Sequence, residues 1–187
     1  MKDPPSSPLS SESQPSERLQ LRYVPWSYRH AEEVLNSMLK LRTEIQESIT
    51  AIRLPPEGLS RPQMNKELEK QLVGRGWQGQ PRVAGDREDI EIEAKLDFLK
   101  GRAGIEVEFG HSSNIGIDLL KFQTMSYSAL DKIDVGIYIM ALGAFKRRME
   151  ERGQTWEGSL SYEKVLRYLP MFKSAIQVPI FVLGIDE

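Results

Sequence analysis

Residues 95–109, KLDFLKGRAGIEVEF, set the architecture of this chain, because two short runs of alternating apolar and polar residues flank a glycine turn. Side chains of a strand alternate between its two faces, so each run has an apolar face and a polar face. A two-residue loop at Gly101-Arg102, with glycine first as in a type II′ turn, predicts a β-hairpin. In that register Asp97 lies opposite Glu106.

Three carboxylates share the polar face of this hairpin, namely those of Asp97, Glu106 and Glu108. Acids this close repel each other unless a cation lies between them, and oxygen ligands at such spacing suit Mg²⁺. A site of this kind usually activates water against a phosphodiester. The alternative is a solvated strand face on which acids lie opposite bases, as Lys95 lies opposite Glu108 in the same register.

Composition limits the class of protein. The 187 residues, 40% of them apolar, suffice for one packed domain, and the net charge of −2 predicts no strong non-specific attraction to nucleic acid or membranes. The absence of cysteine excludes disulfides and thiolate metal sites, and two histidines make a multi-histidine zinc site unexpected. No apolar run reaches membrane-spanning length, and no signal peptide is evident, so we expect a cytoplasmic protein.

The remaining sequence predicts one domain that follows a tail. Residues 1–20 are rich in serine and proline and are expected to be disordered, whereas residues 21–187 form a single domain. The order of elements predicts an α/β or α+β fold, a mixed β-sheet flanked by helices. Apolar spacing places helices at 28–52, 63–73, 116–130, 145–151 and 162–172, and strands at 90–98, 105–109, 134–141 and 178–185. The first helix either joins two subunits or packs on its own core.

An Asp at the end of one strand and Glu-x-Glu on the next, followed by a helix and a buried strand, resembles the PD-(D/E)xK nuclease superfamily. Glu108 stands where the usual pattern has a lysine. Within the superfamily, KLDFLKGRAGIEVEFGHSSNIGIDLLKFQ (residues 95–123) is similar to the type II restriction endonucleases of the BamHI, BglII and BstYI group. The run VPIFVLGI (residues 178–185) resembles the strand that closes their core. The resemblance implies a restriction-endonuclease-like core and a nuclease domain.

The resemblance also implies an activity. Members of this group are homodimers that use Mg²⁺ to cleave short palindromic sites in double-stranded DNA, and their sites centre on GATC. Carried over to this chain, Asp97 and Glu106 hold the metal and the scissile phosphate, and Glu108 is a metal ligand or a general base. Two alternatives remain, a structure-specific or repair nuclease of the same superfamily without sequence preference, and a DNA-binding module without turnover.

Other residues are candidates for supporting roles. Lys95 stands in for the missing lysine or simply pairs with an acid, and Glu67 or Glu69 adds a carboxylate to the metal or is an exposed helix charge. Side chains after the second hairpin strand and on the later helices are candidate DNA contacts. These are Ser112, Ser113, Asn114, Lys121, Gln123, Arg147 and Arg148. The alternatives are an ordinary loop with a serine N-cap and solvated helix faces.

Overall fold

The computed structural model describes residues 19–83, 94–127 and 131–187. Its strands are β1 (Leu19–Gln20), β2 (Arg22–Tyr28), β3 (Arg53–Leu54), β4 (Gln78–Gly79), β5 (Phe98–Lys100), β6 (Ala103–Val107), β7 (Val135–Ala141) and β8 (Ile180–Asp186). Six of them form one sheet in the order β2-β8-β7-β6-β5-β4, and β1 pairs with β3. The sheet is mixed, because β6, β7 and β8 are parallel neighbours and the outer pairs are antiparallel.

Helices cover both faces of this sheet. They are α1 (Ala31–Asn36), α2 (Leu39–Thr50), α3 (Arg61–Val73), α4 (Ile115–Tyr127), α5 (Gly143–Glu151) and α6 (Tyr162–Tyr168), with short 3-10 helices at Ser112–Asn114 and Leu169–Phe172. Buried residues of α1, α2, α3 and α5 pack on one face, and those of α4 and α6 pack on the other. The predicted mixed sheet flanked by helices is therefore confirmed.

The burial of β7 shows why its apolar sequence suits the centre of the sheet. Every residue of β7 is buried, as is expected of a parallel strand covered on both faces. Ile137 and Ile139 face the core under α1 to α3, whereas Tyr138 and Met140 face the core under α4 and α6. The apolar run of β7 therefore serves two cores at once.

The predicted hairpin is present. Lys100 pairs with Ala103, and Phe98 pairs with Ile105, which leaves Gly101-Arg102 as the two-residue loop. Gly101 has a φ of 55°, the left-handed conformation that the first position of this turn requires. This ladder ends at Phe98, and Lys95 instead forms an isolated bridge with Arg82. The pairing of Lys95 with Glu108 is not formed, and residues 90–93 of the predicted strand lie outside the described residues.

The N-terminal elements differ from the prediction. Residues 1–18 of the predicted tail lie outside the described residues, whereas Leu19–Gln20 form β1 against β3. Tyr28, predicted to begin a helix, is the buried last residue of β2, an edge strand that accommodates Pro25. The single predicted helix is divided into α1 and α2, because the chain turns at Ser37, whose hydroxyl donates to the carbonyl of Val34.

Of the two alternatives for the first predicted helix, the structure shows packing on the core of its own subunit. Ile45 and Ile49 of α2 are buried among residues of α3 and the sheet. Within the described residues, no helix combines the length and apolar character needed to cross a membrane.

Candidate active site

The hairpin brings Asp97 and Glu106 together where its strands separate. Glu106 lies on β6 and points to the α4 side of the sheet, in register with Tyr138 of the neighbouring strand. Asp97 directly precedes β5, and its Oδ2 accepts a hydrogen bond of 2.8 Å from the backbone N–H of Val107. This side-chain bond continues the link between the strands beyond the last ladder pair and holds Asp97 beside Glu106.

Glu108 is fixed by the turn that follows β6. Its Oε1 accepts the backbone N–H of Gly110, and its Oε2 accepts a hydrogen bond of 3.1 Å from the side-chain amide of Asn114. Asn114 belongs to the 3-10 helix that leads into α4. The start of α4 and the carboxylate of Glu108 are therefore held together.

The inner face of α4 adds two further charges to this group. The ammonium Nζ of Lys121 lies 3.1 and 3.2 Å from the carboxylate oxygens of Glu106 and 3.2 Å from Oδ1 of Asp118. The hydroxyl of Tyr138 donates to Oδ2 of Asp118 at 2.8 Å. The result is a network in which three carboxylates, those of Asp97, Glu106 and Asp118, lie near one ammonium. Glu108 joins this network through its proximity to Asp118.

Burial opposes ionisation of these acids. Burial raises the pKa of Glu106 to about 9, and the charges of Asp97 and Asp118 act in the same direction against the attraction of Lys121. Burial also raises the pKa of Asp97 and of Glu108. Perturbed carboxyl groups that cluster on one surface are typical of functional sites, since removing acids from water is costly without a functional return.

The two neighbours of Asp118 remain protonated. Burial lowers the pKa of Lys121, but Glu106 and Asp118 outweigh this effect and leave it above its ordinary value. Burial, followed by the charge of Asp118, raises the pKa of Tyr138 well above its ordinary range. Lys121 therefore stays an ammonium ion, and Tyr138 stays a hydrogen-bond donor.

The donor set fits a hard divalent cation such as Mg²⁺. It consists of carboxyl oxygens, which are the ligands that such a cation prefers, and a bound cation would favour their ionised forms. In this conformation, no three acidic or histidine side chains of the described residues converge closely enough to coordinate one ion. The site therefore has oxygen donors of the right type, and Asp97 and Glu106 are held side by side, but the three acids predicted from the sequence do not form one coordination shell in this conformation.

A cavity of about 180 Å³ opens beside Asp97. Asn65 and Glu69, one turn apart on α3, contribute to its lining together with Gln80 and Val107. Of the two helix acids considered from the sequence, Glu69 thus faces the same space as Asp97, whereas Glu67 is not among the lining residues.

The loop after β6 places its polar residues near the site. Ser113 and Asn114 are exposed, and Ser112 is half-buried. His111, rather than a serine, caps the 3-10 helix, because its Nδ1 accepts the backbone N–H of Ser113 at 3.3 Å. Asn114 is the member of this loop that contacts a carboxylate of the site.

The other candidate DNA contacts have different surroundings. Gln123 accepts the backbone N–H groups of Gln177 and Val178, so its side chain joins α4 to the segment before β8. Arg147 is exposed on α5. Arg148 is held by the carboxylates of Asp186 and Glu187 at the C-terminal end of β8.

Sequence reasoning did not single out Asp118 or Tyr138. Asp118 is an isolated acid in the apolar run IGIDLL, three residues before Lys121 and hence on the same helix face. Tyr138 is the only residue with a polar side-chain group in VGIYIMA. A single polar side chain in an otherwise apolar helix or strand could have identified both residues. A buried polar group needs a hydrogen-bond partner, so each of them indicates a contact with another polar group.

Comparison with known proteins identifies relatives. A family model described as restriction endonuclease BglII/BglIII matches residues 23–185. No curated protein sequence matches the chain. Among solved structures, the crystal structure of restriction endonuclease BglII complexed with a DNA 16-mer matches with a TM-score of 0.71 and 20% sequence identity, and the match covers 87% of this chain and 75% of that chain. At this identity the structural likeness shows the fold.

Proposed function

The chain belongs to the BglII/BglIII restriction endonuclease family, and from this we propose that it is a type II enzyme that cleaves a short palindromic site in double-stranded DNA with Mg²⁺. The related structure in complex with DNA supports duplex DNA as the partner. A site centred on GATC, as in the group that the sequence resembles, is part of the same proposal.

The observation that supports this proposal is the hydrogen bond from Val107 to Asp97, which holds Asp97 beside Glu106 at the opening of the hairpin, with Glu108 fixed two residues further on. Asp97 and Glu106 would hold the metal ion. Glu108, oriented by Asn114 and Gly110, would act as a further ligand or as the base that takes a proton from water. The ion would supply an activated water and compensate the negative charge that develops on the phosphate.

Glu69 would add a further carboxylate ligand. It lies on α3 across the cavity from Asp97, and both residues line the same space. A carboxylate from a different element would close the site on a second side. The cavity also offers space for a phosphate group next to Asp97.

We further propose that the enzyme is a homodimer. The outer α4 face, defined as Ile117, Leu120, Tyr127, Met171 and Phe172, exposes five large apolar side chains on α4 and on the 3-10 helix at Leu169–Phe172, which follows α6. An apolar groove lined by Leu120 and Phe172 connects the two helices. Contiguous exposed apolar surface is typical of association sites, and a two-fold protein matches a two-fold DNA site.

Incubation of the protein with plasmid DNA and Mg²⁺ tests the activity. Discrete fragments, with ends sequenced to identify the site, support a restriction enzyme. A smear indicates a nuclease without sequence preference, and intact plasmid indicates a DNA-binding module.

The same assay tests the acids. We expect Asp97→Ala and Glu106→Ala each to reduce cleavage by at least about 1,000-fold, because each removes a group that would hold the metal and the phosphate. Glu151→Ala, an exposed acid on α5, is the matched control and should cut at the wild-type rate. Folding is checked by circular dichroism. A folded Asp97 variant that cuts at full rate would show that the site lies elsewhere.

A further inference from the structure

Among the described residues, Lys121 brings an ammonium group to the acids of the site, although it does not lie on the acidic hairpin. Its side chain is 17% exposed, and those of Glu106 and Asp118 are 4% and 5% exposed. The ammonium group contacts both carboxylates. An ion pair buried to this degree loses hydration on both sides, so its contribution to folding stability is small at best. Stability alone therefore does not account for it.

Three elements cooperate to place this ammonium. Asp118 lies one turn before Lys121 on α4 and accepts the hydroxyl of Tyr138, which stands on β7 beside Glu106. The chain of contacts runs from Tyr138 through Asp118 and Lys121 to Glu106. Each member is oriented by the next, so the position of Nζ is fixed relative to the strand that carries the acids.

Electrostatic repulsion between the site and DNA gives a reason for an ammonium at this position. DNA brings a phosphate, which is an anion, toward a cluster of carboxylates, and the cluster repels it. A lysine directly after β6 would offset this charge, but Glu108 takes that position in this chain. The described residues supply the ammonium from α4 instead, on the same side of the sheet as Glu106.

We infer that Lys121 is a positioning residue of the cleavage site, that it orients Glu106 and lowers the repulsion between the carboxylates and the scissile phosphate, and that Asp118 and Tyr138 hold it in place. The inference rests on the proposed function. In this proposal, the ammonium group of Lys121 compensates the negative charge of the hairpin acids.

Substitution of Lys121 tests this role. Lys121→Met keeps the aliphatic stem and removes the charge. We expect the single-turnover cleavage rate with saturating DNA and Mg²⁺ to fall about 100-fold, and Lys121→Arg, which keeps the charge, to recover a part of it. Tyr138→Phe removes only the hydroxyl and should lower the rate about 10-fold, as for other supporting hydrogen bonds. Lys40→Met, an exposed lysine of α2, is the control.

DNA affinity provides a readout that does not depend on cleavage. With EDTA present, Lys121→Met should bind the DNA substrate at least 10-fold more weakly than wild type, because the acids then face the phosphate without their ammonium. With Ca²⁺ in place of Mg²⁺, the difference should shrink, since the divalent ion offsets the same charges. A lysine with only a structural role would change the melting temperature without this difference between EDTA and Ca²⁺.

The outcomes separate the two proposals. If the wild-type protein does not cut DNA, the proposed function falls. If the wild type cuts and a folded Lys121→Met variant stays within threefold of its rate, the inference about Lys121 is overturned and the function stands. Should Lys121→Met fail to fold, Tyr138→Phe decides, and a wild-type rate in that variant overturns the inference.

Discussion

Glu106 places a carboxyl group in the protein interior, where burial disfavours its ionised form. It is 3% exposed, and Asp97 and Asp118 add two further acids around it. Such a group destabilises the metal-free fold at neutral pH, and natural sites accept that cost where the charge is needed for binding or chemistry.

The raised pKa of Glu106 predicts how the free energy of unfolding depends on pH when EDTA removes metal ions. The pKa of Glu106 is raised to about 9 in the folded protein, from 4.5 in the unfolded chain. The folded state therefore binds the proton more tightly, so the contribution of this group is fully present below about pH 4.5 and is lost as pH rises toward 9. The free energy of unfolding should fall across this window, by at most about 1.4 kcal/mol per pH unit for one group.

Urea denaturation at several pH values measures this slope. Glu106→Gln should reduce it, since the variant cannot ionise, and added Ca²⁺ should reduce it for the wild type. Glu151→Gln, at an exposed position, serves as the control and should keep the wild-type slope. An unchanged slope in Glu106→Gln would mean that Glu106 is not the group that titrates.

The residues of the site differ in how far the sequence predicts them. The closeness of Asp97 to Glu106 follows from a two-residue turn, which is local information. The closeness of Asp118 and Tyr138 depends on a crossover between parallel strands, so neither residue's sequence neighbours reveal it. Lys121 was predicted to contact DNA, and the structure places it against Glu106 instead of fully in solvent.

At the scale of elements, the approach of α4 to the sheet governs the site. Gly136 on β7 lies under the ring of Phe122, and a Cβ added there would come within 2.8 Å of two ring atoms. The absence of that side chain lets α4 lie close to the sheet. Lys121, next to Phe122, can therefore reach the carboxylate of Glu106.

Gly136→Ala tests this close approach. We expect the variant to lose about 1–3 kcal/mol of stability, as overpacked cores do, and to cleave DNA more slowly because α4 moves away from Glu106. Gly116→Ala is the control for stability, since its Cβ would meet no atom within 4 Å. Urea unfolding and single-turnover cleavage measure the two effects. Equal stability of the two variants would show that the Phe122 contact yields easily.

The elements themselves were predicted unevenly. The hairpin, β7 and β8 follow from local alternation or from apolar runs of strand length. Strand β2 was missed, because it is stabilised by pairing with β8 at the far end of the chain. The division of the first predicted helix into α1 and α2 was missed as well, since apolar spacing continues through Ser37.

For the whole molecule, association is the property with the clearest test. Leu120→Glu combined with Met171→Glu places two charges on the outer α4 face, at side chains that are 55% and 72% exposed. We expect the double variant to be monomeric in light scattering, with little loss of monomer stability, and to lose double-strand cleavage. Leu39→Glu, equally exposed on α2, should remain a dimer.

A double variant with the wild-type mass would place the subunit contact on another surface. A wild-type protein that is itself monomeric at micromolar concentration, both free and on DNA, would contradict the homodimer altogether.

Helix α4 has 13 residues, and it alternates within a single turn between Ile117 and Leu120 on the outside and Asp118 and Lys121 on the inside. We expect a helix this short to move as a rigid unit. Contacts on its outer face therefore also determine how closely its inner face approaches the sheet. Dilution of the enzyme would separate the subunits and release the outer face of α4, which would shift Lys121 on its inner face. On dilution, the cleavage rate would therefore fall more steeply than the fraction of bound DNA does.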